Sequence, residues 1–250
     1  MRYFNWMKYK LPQKIALAII LFAFVTGTIF FVLRIQRHRS AERILNKMAA
    51  VYKNCKSYQD SGTTQMTPPW IGTLKFTTTF IRPNHFRYEH TAVDGVDNRY
   101  LAWRSSAKIA AWSSLEPLLV KDPESFNMAI AYGTGSSMTA AHTIPALLFS
   151  KDEISGWRLN DMIGATQISD AKIGNTECFR VKGRVGVFNT VVWIDKSTFL
   201  VLKIERVNNK GVTTVTKYNP VINAKIPDTA MEYNITLRQR RLILCHKSKL

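Results

Sequence analysis

Cysteine is scarce in this chain of 250 residues: there are three, Cys55, Cys178 and Cys245. So few, so widely spaced, exclude a disulfide framework and a cysteine metal site; one bridge at most remains, and spacing does not select it. Histidine is nearly as thin. Of the five, His38 and His246 lie in basic flanks, where solvation accounts for them. His85 and His90 bracket one predicted strand at a spacing of five, so they face opposite sides and cannot chelate together. His142 lies in an apolar helical stretch, where a satisfied core hydrogen bond and a site role are both open. The spacings G-x-S-x-G, H-E-x-x-H, C-x-x-C and the phosphate loop are all missing. Residues 133–137 are glycine-rich but lack the lysine and the preceding apolar strand, and read as a break between helices. Asp94, Asp97, Asp122 and Glu124 fall in loops. Nothing here names a reaction, so the reading is a non-enzyme with no catalytic residue, no metal and no cofactor.

Acidic residues are also few, 17 against 35 lysines and arginines, for a net charge of +18. A balance this basic suggests nucleic acid until it is divided along the chain. Residues 1–47 carry +8 and residues 236–250 carry +5, leaving +5 on the long middle. The excess therefore sits where it can meet anionic lipid headgroups, whereas a nucleic-acid binder carries its charge on the folded body. No nucleic-acid partner is expected.

What is present is one long apolar run. Residues 15–33, IALAIILFAFVTGTIFFVL, carry no charge. A helix of that length spans about 28 Å, close to the roughly 30 Å hydrocarbon core of a bilayer; a buried soluble helix seldom runs so far without a polar face. The run is longer than a signal-peptide core, no small-residue cleavage pattern follows it, and no cysteine closes it for lipidation, so it reads as an uncleaved transmembrane anchor. The expected organisation is a basic flank (1–14), the anchor (15–33), a basic juxtamembrane segment (34–39), one domain (40–235) and a basic tail (236–250). Positive charge on both sides of the run gives no strong orientation and leans slightly toward a cytoplasmic domain. The tail places Leu242, Ile243 and Leu244 among basic residues, a pattern open both to a membrane surface and to a solvated end.

Beyond the anchor, Ser40 is placed to cap a helix to about Lys53, with Ile44, Leu45, Met48, Val51 and Tyr52 on one face. Asp60, Ser61 and Gly62 interrupt the next stretch, and Pro68-Pro69 break any helix. From Trp70 the period becomes two: residues 73–80 alternate, residues 86–90 follow the Arg82-Pro83-Asn84 turn, and residues 99–103 and 108–112 complete a meander. Residues 123–149 read as two helices with a break at Gly133 and Gly135. Strands return from Thr166, through 178–182, 190–194, 199–205 and 212–218, and Pro220 and Pro227 end the sheet. The fold class is α+β: an N-terminal transmembrane helix, then a long antiparallel sheet that curls, with a helical insertion over one face.

The order AERILNKMAAVYKNCKSYQDSG, TTTFIRPNHFRYEH, NRYLAW, AHTIPALLF, ECFRVKG and VWIDKSTFLVLKIE resembles the outer-membrane lipoprotein-sorting (LolA/LolB-like) superfamily, and within it the envelope proteins of unassigned function. The resemblance spans about residues 41–233; the F-x-R-P-N-x-F-R-Y-E run and the W-I-D-K-S-T-F-L hairpin are its most specific parts. It implies an incomplete antiparallel β-barrel closed by helices, a cavity that accepts acyl chains, and a periplasmic domain on a bacterial inner-membrane anchor. A tethered protein cannot shuttle, so the chain departs from the carrier role and a stationary receptor or sensor is expected.

Phe76, Phe80, Phe86, Tyr88, Tyr100, Trp103, Trp112, Trp193 and Phe199 fall on successive strands at positions that can share one face, as a filled core or as the lining of an apolar cleft. They are the expected ligand-binding residues, with His142, Ile144, Leu147 and Leu148 as the lid. The expected function is to hold lipid or a lipidated protein by burial of an acyl chain; the alternative is a structural or sensory module, fully packed, that binds a protein still unknown.

Overall fold

The computed structural model describes residues 13–67, 72–93, 97–115 and 123–232. The basic flank up to residue 12, Pro68-Pro69, Trp70, the Asp94-Gly95 turn, Asp122 and the basic tail with Cys245 and His246 lie outside them. The first element is α1 (Gln13–Asn54), one helix of 42 residues. The sequence placed a separate helix start at Ser40. Nothing between residues 34 and 39 disfavours a helix, so the apolar run continues into the domain, and the Ser40 hydroxyl instead donates to the Gln167 side-chain oxygen.

Ten strands form one antiparallel sheet path: β1 (Ser57–Thr67), β2 (Thr73–Ile81), β3 (His85–Ala92), β4 (Arg99–Arg104), β5 (Ile109–Ser113), β6 (Ile163–Ile173), β7 (Thr176–Val185), β8 (Phe188–Asp195), β9 (Val201–Val207) and β10 (Thr213–Tyr218). Their order is β5-β4-β3-β2-β1-β10-β9-β8-β7-β6, and a two-residue β11 (Val221–Ile222) adds to β1. The path is thus two meanders joined where β1 meets β10, with Gly62 opposite Tyr218. Its two ends, β5 and β6, stay apart, so this is an incomplete barrel, as the resemblance implied.

Two sequence expectations are corrected here. Asp60, Ser61 and Gly62 do not interrupt a strand; they are the middle of β1. Gly62 is required there because a Cβ would stand 2.3 Å from Phe76 Cζ and 2.4 Å from the Lys217 carbonyl oxygen. Pro220 does not end the sheet, since β11 follows it.

The alternation expected for 73–80 is present: Leu74, Phe76, Thr78 and Phe80 of β2 turn to one buried face, joined by Phe86, Tyr88 and His90 of β3. This inner face is covered from two sides. The C-terminal half of α1 lays Ala41, Ile44, Leu45, Met48 and Tyr52 on it, and the Tyr52 hydroxyl accepts the Val201 backbone N–H at 3.0 Å. Just past its middle α1 lies against the edge strand β6, where His38 Nδ1 donates to the Ala165 carbonyl at 2.6 Å; a helix over an edge strand removes it from solvent and from other chains. Arg82, from the F-x-R-P-N run, donates Nε to the Cys55 carbonyl at 2.9 Å and Nη2 to those of Tyr52 and Leu148. It is a cation at a helix C-terminus, where the last carbonyls need donors.

The insertion between β5 and β6 supplies the second cover: α2 (Phe126–Ser136), α3 (Ala140–Thr143) and α4 (Pro145–Leu148). Ser125 caps α2 through the Met128 N–H. The break expected at Gly133 and Gly135 falls instead at Met138 and Thr139, both with positive φ (54° and 76°), and α2 runs through the two glycines. Gly133 has a packing reason: a Cβ there would sit 2.5 Å from the Tyr100 ring, whose hydroxyl donates to the Ala129 carbonyl. Gly135 has open space beside it.

The two glycines should therefore respond with opposite signs. In a helix alanine is favoured over glycine by up to ~1 kcal/mol, and Gly135→Ala should raise unfolding stability by some part of that. Gly133→Ala should lower it, because overpacking costs about 1–3 kcal/mol. Chemical denaturation of both variants checks this; equal shifts of the same sign would contradict the packing of Tyr100 on α2.

Candidate functional site: the cleft beneath the helical insertion

The residues expected to share one face divide between two. Phe76, Phe80, Phe86, Tyr88 and Tyr100 lie on the inner face and are all buried. They pack on one another and on the insertion: Phe86 meets Phe126 and Phe149 edge to face at 5.2 and 5.6 Å, and Phe80 meets Phe149 at 5.0 Å. Such edge-to-face pairs are the favoured aromatic geometry, and here they make a filled core.

Trp103, Trp112 and Trp193 are on the other face, which corrects the shared-face expectation. The register decides it: Tyr100 pairs Ser113 and Ala102 pairs Ala111 inside, so Leu101, Trp112, Trp103 and Ala110 point out. Strand residues alternate by two, and an odd offset changes the face. Trp103 Nε1 donates to the Met231 carbonyl at 2.5 Å, and Arg99 stacks on Trp112. Trp193 lies under Arg180 and Lys203. Phe199 is in the β8–β9 turn with φ 58°, not in a strand. Asp195 Oδ1 accepts from the Ser197 N–H and hydroxyl, both at 2.7 Å, forming that turn. Phe199 stacks near Phe179, with Lys47 of α1 over its ring.

One open space lies between the insertion and the β7–β9 half of the sheet, a cleft of about 320 Å³; another, of about 450 Å³, lies at the C-terminal end of α1 and is bordered by Arg82, Leu147 and Leu148. In the first, Ala131 and Thr134 of α2 form one wall, Val185 and Phe188 of the β7–β8 hairpin the other, and residues 155–159 the end. Of the expected lid, His142 lines it, while Ile144, Leu147 and Leu148 are buried in the core. The His142 Nε2–H donates to the Ser155 carbonyl at 2.8 Å. Burial holds His142 below its ordinary pKa, with the positive charges of Arg206 and Arg158 adding to the effect. The Trp157 ring lies against Gly186, where a Cβ would stand 2.2 Å away, and edge-on to Phe188 at 6.1 Å. More than half of Trp157 is exposed (52%).

Arg206 of β9 lies at the floor. It is buried, donates to the Thr139 hydroxyl at 2.8 Å and to the Thr143 hydroxyl at 2.9 Å, and so ties sheet to insertion. No ion pair among the described residues includes it. A buried guanidinium held by neutral hydroxyls is a costly choice for a core position. Sequence reasoning missed Arg206, Trp157 and Phe188. The signal for Arg206 was available: it occupies the apolar phase of β9, two residues after Ile204.

A larger depression of about 650 Å³ lies on the outer face over β10, β1, β2 and β3, rimmed by Lys75, Glu89 and Lys217. Its charged rim does not suit an acyl chain. Among the described residues, no group of three or more His, Cys, Asp or Glu side chains stands together to hold a metal ion. Cys55 and Cys178 are buried free thiols.

No family model and no curated protein matches the chain. Several solved structures are similar to it. An uncharacterized conserved protein from Thermus thermophilus is 13% identical, covering 80% of this chain and 97% of that one, with a TM-score of 0.47. A putative outer-membrane lipoprotein-sorting protein domain from Vibrio parahaemolyticus is 11% identical, covering 78% and 97%, with a TM-score of 0.38. The MucA/MucB complex of Pseudomonas aeruginosa is 12% identical over 78% of this chain and 61% of that one, with a TM-score of 0.45.

One buried group of β1, away from the cleft lining, sets a pH dependence. Asp60 of β1 accepts the Tyr58 hydroxyl at 2.6 Å, and burial pushes its carboxyl up from 3.8 to about 6, against the pull of hydrogen bonds from Tyr58 and Thr78. The folded state thus holds this proton more tightly than the unfolded chain, so the stability it contributes is full below pH 4 and lost as pH rises toward 6. Relative to Asp60→Asn, the wild type should lose about 3 kcal/mol between pH 4 and 7, an order-of-magnitude figure. Urea unfolding of both proteins across that range measures it; parallel curves would contradict the assignment.

Proposed function

We infer that this protein is a membrane-anchored, non-enzymatic binding protein that holds one acyl chain, of lipid or of a lipidated protein, in the cleft between the insertion and the β7–β9 half of the sheet. The observation that carries this is the cleft itself: a space of about 320 Å³ between insertion and sheet, with Ala131, Leu159, Val185, Phe188 and the Trp157 ring on its walls. That size is at the lower end of ligand clefts, which begin near ~300 Å³, and suits one chain better than several.

The anchor is supported by the first half of α1. Its most apolar window has a mean hydropathy of 2.4 and is wholly unburied, with Phe22 73% and Phe24 72% exposed. Exposed apolar area of this extent costs about 25 cal/mol per Å² in water, and a bilayer removes the cost. The unbroken helix also fixes the domain to the membrane without a flexible linker, which favours a stationary receptor over a carrier. An extracytoplasmic, inner-membrane setting follows the sequence resemblance. The second reading, a module that binds another protein, is favoured by the larger depression on the outer face, with Lys75, Glu89 and Lys217 at its rim.

Ala131 lines the cleft from the exposed side of α2, so Ala131→Trp fills the cleft without entering the core. With the full chain in amphipol, dansyl-undecanoic acid should bind saturably. The substitution should weaken it about tenfold, the equivalent of two buried methylenes, with little change in melting temperature. Unsaturable uptake, or equal affinity in the variant, would count against the cleft.

A further inference from the structure

The topology fixes how the apolar run of α1 sits relative to the cleft. Helix α1 and β6 run in the same direction where they meet. His38 bonds Ala165 and, two residues further on, Ser40 bonds Gln167. Moving down β6 toward Ile163 is therefore moving along α1 toward the apolar run. Leu33, the last residue of that run, lies with Arg34, Arg37 and His38 around one shallow pocket with Gly164, Thr166 and Lys182. The strand β7 passes this level at Lys182 and continues for three residues to Val185 and the hairpin tip. At about 3.3 Å per residue the tip at Gly186 and Val187 extends roughly 10–16 Å beyond Lys182, in the direction of the membrane.

The side chains at this end match such a position. Val187 (60% exposed), Ile163 (60%) and Trp157 (52%) are large apolar groups left uncovered. The strand ends around them carry exposed Lys182 and Arg184, and Arg34 and Arg37 of α1 are exposed beside them. Asp161, the acidic residue nearest in sequence to Ile163, is paired with Lys151 at 2.8 Å. Aromatic and apolar tips within a collar of Lys and Arg are the composition of a surface that lies in the headgroup layer. The opposite end of the same half of the sheet, at Gly174-Asn175 and Lys196-Ser197, exposes no large apolar residue.

We propose that the end of the domain formed by Trp157, Ile163 and Val187 is seated in an anionic lipid surface, so that the cleft opens into the bilayer and takes its acyl chain directly from it. The inference rests on the anchor reading, and it adds the source of the ligand. Trp157 and Phe188 stand both at the mouth of the cleft and at the hairpin that reaches the membrane, so a chain leaving the bilayer meets the cleft without crossing water. The partner surface is lipid rather than a protein. A soluble lipidated protein would need a mouth facing away from the membrane.

The test uses the full chain in nanodiscs of phosphatidylcholine and phosphatidylglycerol with brominated acyl chains, which quench nearby fluorophores. A bimane label is placed singly by Val187→Cys, Asn175→Cys or Phe24→Cys in a Cys245→Ser background; Cys55 and Cys178 are buried. The label at 24 should lose most of its emission, as should the label at 187, while the label at 175 keeps it. A quenched label at 24 with an unquenched label at 187 would overturn the docking and leave the anchor standing. An unquenched label at 24 would remove the anchor and the docking together. Equal quenching at 187 and 175 would also overturn the proposal, since it would place the whole domain, not this end, against lipid.

Discussion

The pairing of β1 with β10 is the interaction on which the rest depends. Each meander alone, β1 to β5 or β6 to β10, is a local structure with an exposed edge. Their union at Gly62 and Tyr218 creates one sheet wide enough to curl and one continuous inner face to bury. Gly62 makes the union tight, since the Phe76 ring and the Lys217 backbone occupy the space where a side chain would stand. Once joined, the inner face needs more cover than either α1 or the insertion supplies.

The two covers differ in quality. Over β2 to β5, the aromatic rings of the sheet interlock with Phe126 and Phe149. Over β7 to β9, the insertion is held by polar contacts, Arg206 to Thr139 and Thr143 and His142 to Ser155, and the cleft lies there. A polar, hydroxyl-mediated attachment is one that can loosen without dismantling a core, which suits the proposed binding of a chain. The same helix that covers β6 carries the apolar run, so the domain and that run are parts of one unbroken element.

Much of the architecture was legible in the residues. The alternation in β2 and β3, the later meander, the helical insertion and the apolar run each follow from one periodicity. The failures have physical causes. β1 was hidden because Asp60, Ser61 and Gly62 read locally as a turn, while tertiary packing demands a glycine and tolerates a buried acid there. The α2 break was misplaced because Gly133 serves Tyr100 and not the chain direction. Five of the nine aromatic residues share the inner face, while one-residue differences in phase sent three tryptophans outward and Phe199 fell in a turn. The cleft itself was not legible. Its lining mixes small and polar residues, Ala131, Thr134, Thr139 and Thr143, with Trp157, Val185 and Phe188, and the emptiness between them has no sequence signature.

The central claim is that the cleft beneath the insertion holds one acyl chain. Native mass spectrometry of the full chain, released gently from membranes of the expressing cell and paired with lipid extraction of the same sample, tests it most directly. The account predicts one chain-bearing lipid or acylated peptide per protein, retained through delipidating washes that strip the anchor. A protein that emerges from those washes bare, and takes up no lipid when it is offered again, would contradict it.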